Sequence, residues 1–168
     1  AVAEELLNGW ELWVAERRHV IVELEVYVHG PGHLDPYTYN DQELGLSEVW
    51  HFHKVGPTYK GGTYKGLDLS AGDTVGGILA GLLIRSVRAE ADSGPMLIEG
   101  PCLVVDHVLR LCGKQSIADL VGGRRPEEMH AEGTDGLLLR PTREARRDAV
   151  WAAPRVGLVL RREGEGRT

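Results

Sequence analysis

The stretch Val20-Ile21-Val22-Glu23-Leu24-Glu25-Val26-Tyr27-Val28 decides the fold. Its β-branched and aliphatic residues specify a strand. Side chains alternate across a strand. Val20, Val22, Leu24, Val26 and Val28 are therefore expected on one buried face, with Ile21, Glu23, Glu25 and Tyr27 on the other. Two carboxylates and a phenol then stand in a row on one side of a central strand. Like charges at i, i+2 disfavour joint ionisation. A carboxyl tuned toward neutrality is what general acid–base chemistry requires. An amphipathic strand with a solvated outer face accounts for the same pattern without any chemistry.

Working outward, Trp10–Glu16 alternates and predicts a partner strand, with Arg17-Arg18 as the hairpin turn. Ala1–Asn8 reads as a short helix stopped by Asn8-Gly9. Residues 29–42 form a loop rich in Gly, Pro and Asp, too long for a mere connector. Glu48–His53 is a short strand, and Val75–Val87 a strand pair or one strand kinked at Gly. Pro101 opens a helix that runs through Leu111 and stops at Gly113. Gly122–Arg140 reads as irregular, Arg143–Ala149 as a helical turn and Arg155–Arg162 as a last strand. The expected class is α+β: one domain over residues 1–168, a curved antiparallel sheet with a few short helices.

Composition narrows the function. A length of 168 residues suits a single core, and 42% hydrophobic with 26% charged residues is ordinary for a soluble protein. The net charge of −6 argues against wrapping nucleic acid by bulk electrostatics. Cys102 and Cys112 give neither a disulfide framework nor a metal spacing, and suit a reducing, intracellular compartment. The apolar run Gly76–Ile84 is too short to span a bilayer, and no secretory signal is visible, so no membrane partner is expected.

Three groups of residues carry candidate chemistry. His51 and His53 alternate onto one side, and with His29 and His33 they make a metal site conceivable. Gly45 and His51-x-His53 match the opening of the cupin metal motif, but Pro57 and Thr58 stand where its Glu belongs, so neither metal nor cofactor is expected. Of four lysines, Lys54, Lys60 and Lys65 fall between His51 and Gly66, a stretch without acidic residues in which Tyr59 and Tyr64 interleave with glycines. Lysines neutralise phosphates and tyrosines stack on or wedge between bases. The same composition also suits a Gly-rich hairpin with solvated lysines. Arg85 sits in the apolar run Leu82–Val87 and needs a partner there, with Glu25 or Glu23 the natural choice.

Taken in order, these pieces resemble the alkyladenine (3-methyladenine) DNA glycosylase family. Ala3–Leu12 is similar to its "A-x-x-L-L-G-x-x-L" start, Val22–Tyr27 to "V-E-T-E-A-Y" and Asp35–Tyr39 to "D-P-A-S-H". Gly62–Asp68 falls where the family has "Y-G-M-x-x-C-x-N", Leu83–Ser86 resembles "L-I-R-A", Gly100-Pro101 "G-P-x-x-L" and Ala152–Leu158 "A-A-x-R-V-G-I". The resemblance implies a damaged or modified purine flipped into a pocket and released by hydrolysis of its N-glycosidic bond. It implies Glu25 as the base that activates water, Arg85 as holder of that water and of the carboxylate, and Tyr27, Tyr39, Asp68 and Tyr64 as the base-binding set. Lys54, Lys60, Lys65 and Tyr59 would contact nucleic acid, DNA before RNA. With no amine nucleophile in place, the chemistry would be monofunctional. The chain departs from the pattern where Tyr39 replaces a His and Asp68 an Asn, and the duplex wedge is either lost or moved to Tyr59 or Tyr64. The same resemblance also admits a non-catalytic descendant, kept as a binding or assembly subunit of a nucleoprotein or protein complex.

Overall fold

The computed structural model describes residues 2–36, 38, 41–90, 94–134, 136–143, 146 and 148–155. Helix α1 (Val2–Gly9) leads into β1 (Trp10–Val14) and β2 (Arg17–His29). There follow β3 (Ser47–Phe52), β4 (Lys54–Val55), β5 (Thr58–Tyr59), β6 (Leu67–Ala71), β7 (Leu79–Ala89) and β8 (Met96–Glu99). Helices α2 (Pro101–Leu111) and α3 (Ile117–Val121) precede β9 (Leu137–Pro141). The main sheet has seven strands in the order β3-β6-β7-β2-β1-β9, with β8 also on β7, and every pairing is antiparallel. It curls through 245° into a half-barrel, as the α+β reading expected. Among the described residues no helix is long and apolar enough to cross a membrane.

The β1–β2 hairpin turns at Ala15 and Glu16, not at Arg17-Arg18, and Arg17 already pairs with Val14. Both turn residues are left-handed, with φ of 46° and 63°. Two left-handed residues are what a two-residue hairpin loop needs to match the strand twist, although neither is the usual Gly or Asn. Strand β2 is central, as its composition predicts, but its facing needs a correction. Its pairing with β7 loses register between Ile21 and Glu23 and again between Glu23 and Leu24. Such a bulge interrupts alternation and bends the strand. Ile21 therefore joins the main core and Tyr27 is 6% exposed, while Val22 and Val26 are 45% exposed. The expected single buried face presumed an unbroken pleat.

One face of the sheet packs against the helices. Leu12, Val14, Ile21, Trp50, Leu69, Leu82 and Ile84 meet Leu6 of α1, Val104, Val105 and Val108 of α2, and Ile117 and Leu120 of α3. Pro101 opens α2 as predicted, because its missing N–H is no loss at a helix start. The short α3 begins where the Ser116 hydroxyl accepts the Asp119 N–H at 3.1 Å and ends at left-handed Gly122. Strand β9 lies in the segment read as irregular; it exists because β1 offers it a free edge. The described residues of 143–149 are not helical, and the strand expected at 155–162 falls outside the described residues except for Arg155.

A buried histidine pair ties β2 to α2. His19 Nε2 lies 2.8 Å from His107 Nε2, His19 Nδ1 lies 2.9 Å from the Arg17 carbonyl, and Arg110 donates to His107 Nδ1 at 2.8 Å. These contacts fix both rings as neutral: His19 Nδ1–H gives to the carbonyl and His107 Nε2–H gives to His19. Burial, then the repulsion that a proton on His107 would meet from His19, Arg110 and Arg17, lowers the pKa of His107 to about 4, and burial lowers that of His19. Between the unfolded value near 6.5 and that folded value, the unfolded chain binds more protons, so this pair's contribution is complete above pH ~6.5 and is lost as pH falls toward about 4. Thermal unfolding followed from pH 7 to pH 4 is expected to show that decline, and His107→Gln to flatten it; an equal slope in both proteins would remove the pair from the account.

Candidate functional site

The other face of the half-barrel gathers the polar residues. Cross-strand pairing places His51 of β3, Asp68 of β6, Leu83 of β7 and Glu25 of β2 in one row. The neighbouring row holds Ser70, Gly81 and Tyr27. Residues two apart on a strand share a face, so Glu25 and Tyr27 stand side by side as the sequence predicts.

Arg85 meets both acidic residues of β2. Its NH1 donates to Glu25 Oε2 at 2.6 Å, and its Nε lies 3.2 Å from Glu23 Oε1. The Ser86 hydroxyl donates to the second oxygen of Glu23 at 2.9 Å. The break of register opposite Ser86 lets two carboxylates on one strand reach a single guanidinium. Side-chain exposures of 16% for Glu25 and 26% for Arg85 leave the pair sheltered but reachable. The sequence left the choice between Glu23 and Glu25 open, and the structure uses both.

Tyr27 lies against Gly81: a Cβ there would fall 2.6 Å from the phenol oxygen. Leu44, Leu79 and Leu83 complete its cover. The hydroxyl makes no hydrogen bond of normal geometry among the described residues, and the Asp68 carboxylate is the acceptor beside it. Burial, then the Asp68 charge, pushes its pKa above the usual phenol range.

Asp68 is fully buried. Its Oδ2 lies 3.1 Å from His51 Nδ1 and 3.2 Å from His53 Nε2. Burial alone would protonate it, but the hydrogen bonds from His51 and His53 outweigh that and hold the carboxyl below its usual range. Burial likewise opposes charge on His51, yet the bonds to Asp41 and Asp68 raise its pKa to about 9. His51 Nε2 faces Asp41 Oδ2 at 3.2 Å. Asp41 caps a tight turn over Gln42–Gly45, accepting the Glu43 N–H at 3.1 Å. Neither Asp41 nor Glu43 stood out in the sequence; the signal available was two acids at i, i+2 closing a Gly- and Pro-rich loop.

The expected phosphate contacts are largely engaged within the chain. Lys54 pairs with Glu43 and approaches Asp41 at 3.7 Å, and Lys65 pairs with Asp106. Lys60 is half-buried, which lowers its pKa. Tyr59 packs edge-on against Phe52 with ring centroids 6.5 Å apart, whereas Tyr64 is 75% exposed at the tip of the adjoining turn. Tyr39 lies outside the described residues. At the start of the long loop, Asp35 accepts from Thr38 at 2.9 Å and from Arg155 at 2.7 Å, so the "D-P" and "A-A-x-R" fragments meet in space.

The class so defined is an α+β half-barrel whose polar face carries an acid–guanidinium pair beside a buried histidine–aspartate cluster. The chain is 31% identical, over 94% of its own length and 76% of the other's, to "Uncharacterized protein L759" of Acanthamoeba polyphaga mimivirus, and it belongs to the family of that viral protein. No family profile matches the chain, and no solved structure matches it.

A double-mutant cycle on Glu25→Gln and Arg85→Met tests the pair. A partly sheltered ion pair of this geometry is expected to show a coupling of about 1–3 kcal/mol in chemical denaturation at pH 7. Additive losses would mean that the two side chains stabilise the fold separately.

Proposed function

We propose that the protein hydrolyses the N-glycosidic bond of a damaged or modified purine in nucleic acid, with Glu25 activating the attacking water. The Glu25–Arg85 pair carries this reading: a carboxylate and a guanidinium from separate strands, 2.6 Å apart and neither solvated nor sealed. Glu25 Oε2 is committed to Arg85, which leaves Oε1 to accept the proton of a water. Arg85 fixes the orientation of the carboxylate toward that water. The water adds to the sugar carbon as the purine departs with the bond's electron pair. Hydrolysis through a positioned base matches the role that the resemblance gives these two positions.

Tyr27 forms the floor of the base-binding region in this reading. Because it is 6% exposed beneath Leu44, the Asp41–Gly45 segment must lift before a flipped base can stack there. Tyr64, exposed on the hairpin side, is the wedge that remains available. Lys54 and Lys65 must exchange their own carboxylates for phosphates, which makes binding salt-dependent.

The cover over Tyr27 also favours a second reading: a glycosylase-like fold retained as a binding or assembly subunit. A release assay separates them. Oligonucleotides carrying alkylated, deaminated or etheno purines are incubated with wild type and with Glu25→Gln. Lesion-dependent release that falls by about 10²–10⁴ in the variant is expected. No release from any substrate by the folded wild type would retire the enzymatic reading and leave the binding one.

A further inference from the structure

We propose that Asp41, Glu43 and His51 form a site for one divalent transition-metal ion, separate from the Glu25–Arg85 pair. Each residue offers one ligand atom, and the three atoms lie within 4.8 Å of one another. His51 Nε2 is 3.2 Å from Asp41 Oδ2 and 3.9 Å from Glu43 Oε2. Two ligands about 2.1 Å from a shared ion stand about 3–4 Å apart, depending on the angle between them. The cluster already has that spacing.

The outer atom of every ligand is held by a partner, which aims its inner atom at the shared point. Asp41 Oδ1 accepts the Glu43 N–H at 3.1 Å, leaving Oδ2 inward. Glu43 Oε1 takes the Lys54 ammonium, leaving Oε2 inward. His51 Nδ1 is bound to the fully buried Asp68, leaving Nε2 inward. A carboxylate behind a ligating imidazole fixes its tautomer and raises its basicity. Charge also balances. Asp41, Glu43 and Asp68 bring three negative charges; a divalent ion that displaces the proton from His51 Nε2, together with Lys54, brings three positive ones.

Tyr27 meets the same buried carboxylate that holds His51. The Tyr27 phenol is 94% buried, its hydroxyl makes no hydrogen bond of normal geometry among the described residues, and it feels the carboxylate of Asp68 before the charges of Glu25 and Asp41. A buried O–H donor left unpaired is costly. Asp68, which also backs His51, is the carboxylate placed to receive it. One nitrogen and two carboxylate oxygens suit zinc or manganese.

Chelator-treated full-length protein titrated calorimetrically with zinc chloride and with manganese chloride tests this without nucleic acid, so its outcome is independent of the release assay. One ion per chain is expected for wild type with at least one metal. Asp41→Asn and Glu43→Gln keep side-chain shape at a half-exposed turn and are each expected to weaken binding at least about tenfold. Both variants retain every Cys and His, so uptake that persists in them at unchanged affinity would assign the metal to other side chains and overturn the site. Failure of wild type to take up either ion stoichiometrically would overturn it too.

Discussion

A carboxylate cut off from water sets the terms for the polar half of this molecule. Asp68 points from the middle of β6 into a face where it is fully buried. An ionised group in that position is tolerable only if hydrogen-bonded and countered by charge. The His51-x-His53 alternation, which runs from β3 to the residue just beyond its end, supplies two imidazoles on the side that faces it. His51 then needs something at its other nitrogen, and Asp41 meets it. Asp41 in turn organises the tight turn that brings Glu43 to Lys54 and Leu44 over Tyr27. One buried charge thus propagates across β6, β3 and the end of the long loop.

The Glu25–Arg85 pair depends on a different constraint, the interrupted register between β2 and β7. In an unbroken ladder, Glu23 and Glu25 would each face its own partner on β7. The bulge compresses that spacing, so Arg85 engages Glu25 through NH1 and Glu23 through Nε while Ser86 secures Glu23 from behind. A guanidinium has enough donors in a fixed fork to serve two carboxylates at once, which an ammonium on a flexible stem does less well. The same bulge bends the strand, so the feature that assembles the pair also redirects β2 beside it.

Much of this was legible in the sequence, and the losses have identifiable causes. The strand at 20–28, the helix opened by Pro101 and the α+β class follow from local pattern, which is where sequence reading is strong. Arg85 was legible because a charge in an apolar strand demands a partner, and the candidates were few. The facing of β2 was not legible, since a bulge is a property of two strands and leaves no mark in one. Strand β9 was missed because its pairing with β1 spans most of the chain. Composition suggested a basic patch at Lys54, Lys60 and Lys65, but their neighbours are not adjacent in sequence: Glu43 and Asp106 come from elsewhere and neutralise two of the three.

Asp68 also clarifies where the chain departs from the glycosylase resemblance, whose pattern carries an Asn at that position. An Asn is neutral and brings both donors and acceptors, so a buried one can be satisfied by backbone groups. An Asp in the same place accepts only, and it carries a charge. It therefore requires donors that can also be cations, and His51 and His53 are such groups. The substitution and the histidines belong together as one electrostatic unit. Changing Asp68 alone to Asn would leave His51 between an amide and Asp41, its charge half-answered, and would loosen the turn over Tyr27. Asp68 and its two histidines thus form one polar unit, while the acid–guanidinium pair is held by contacts of its own.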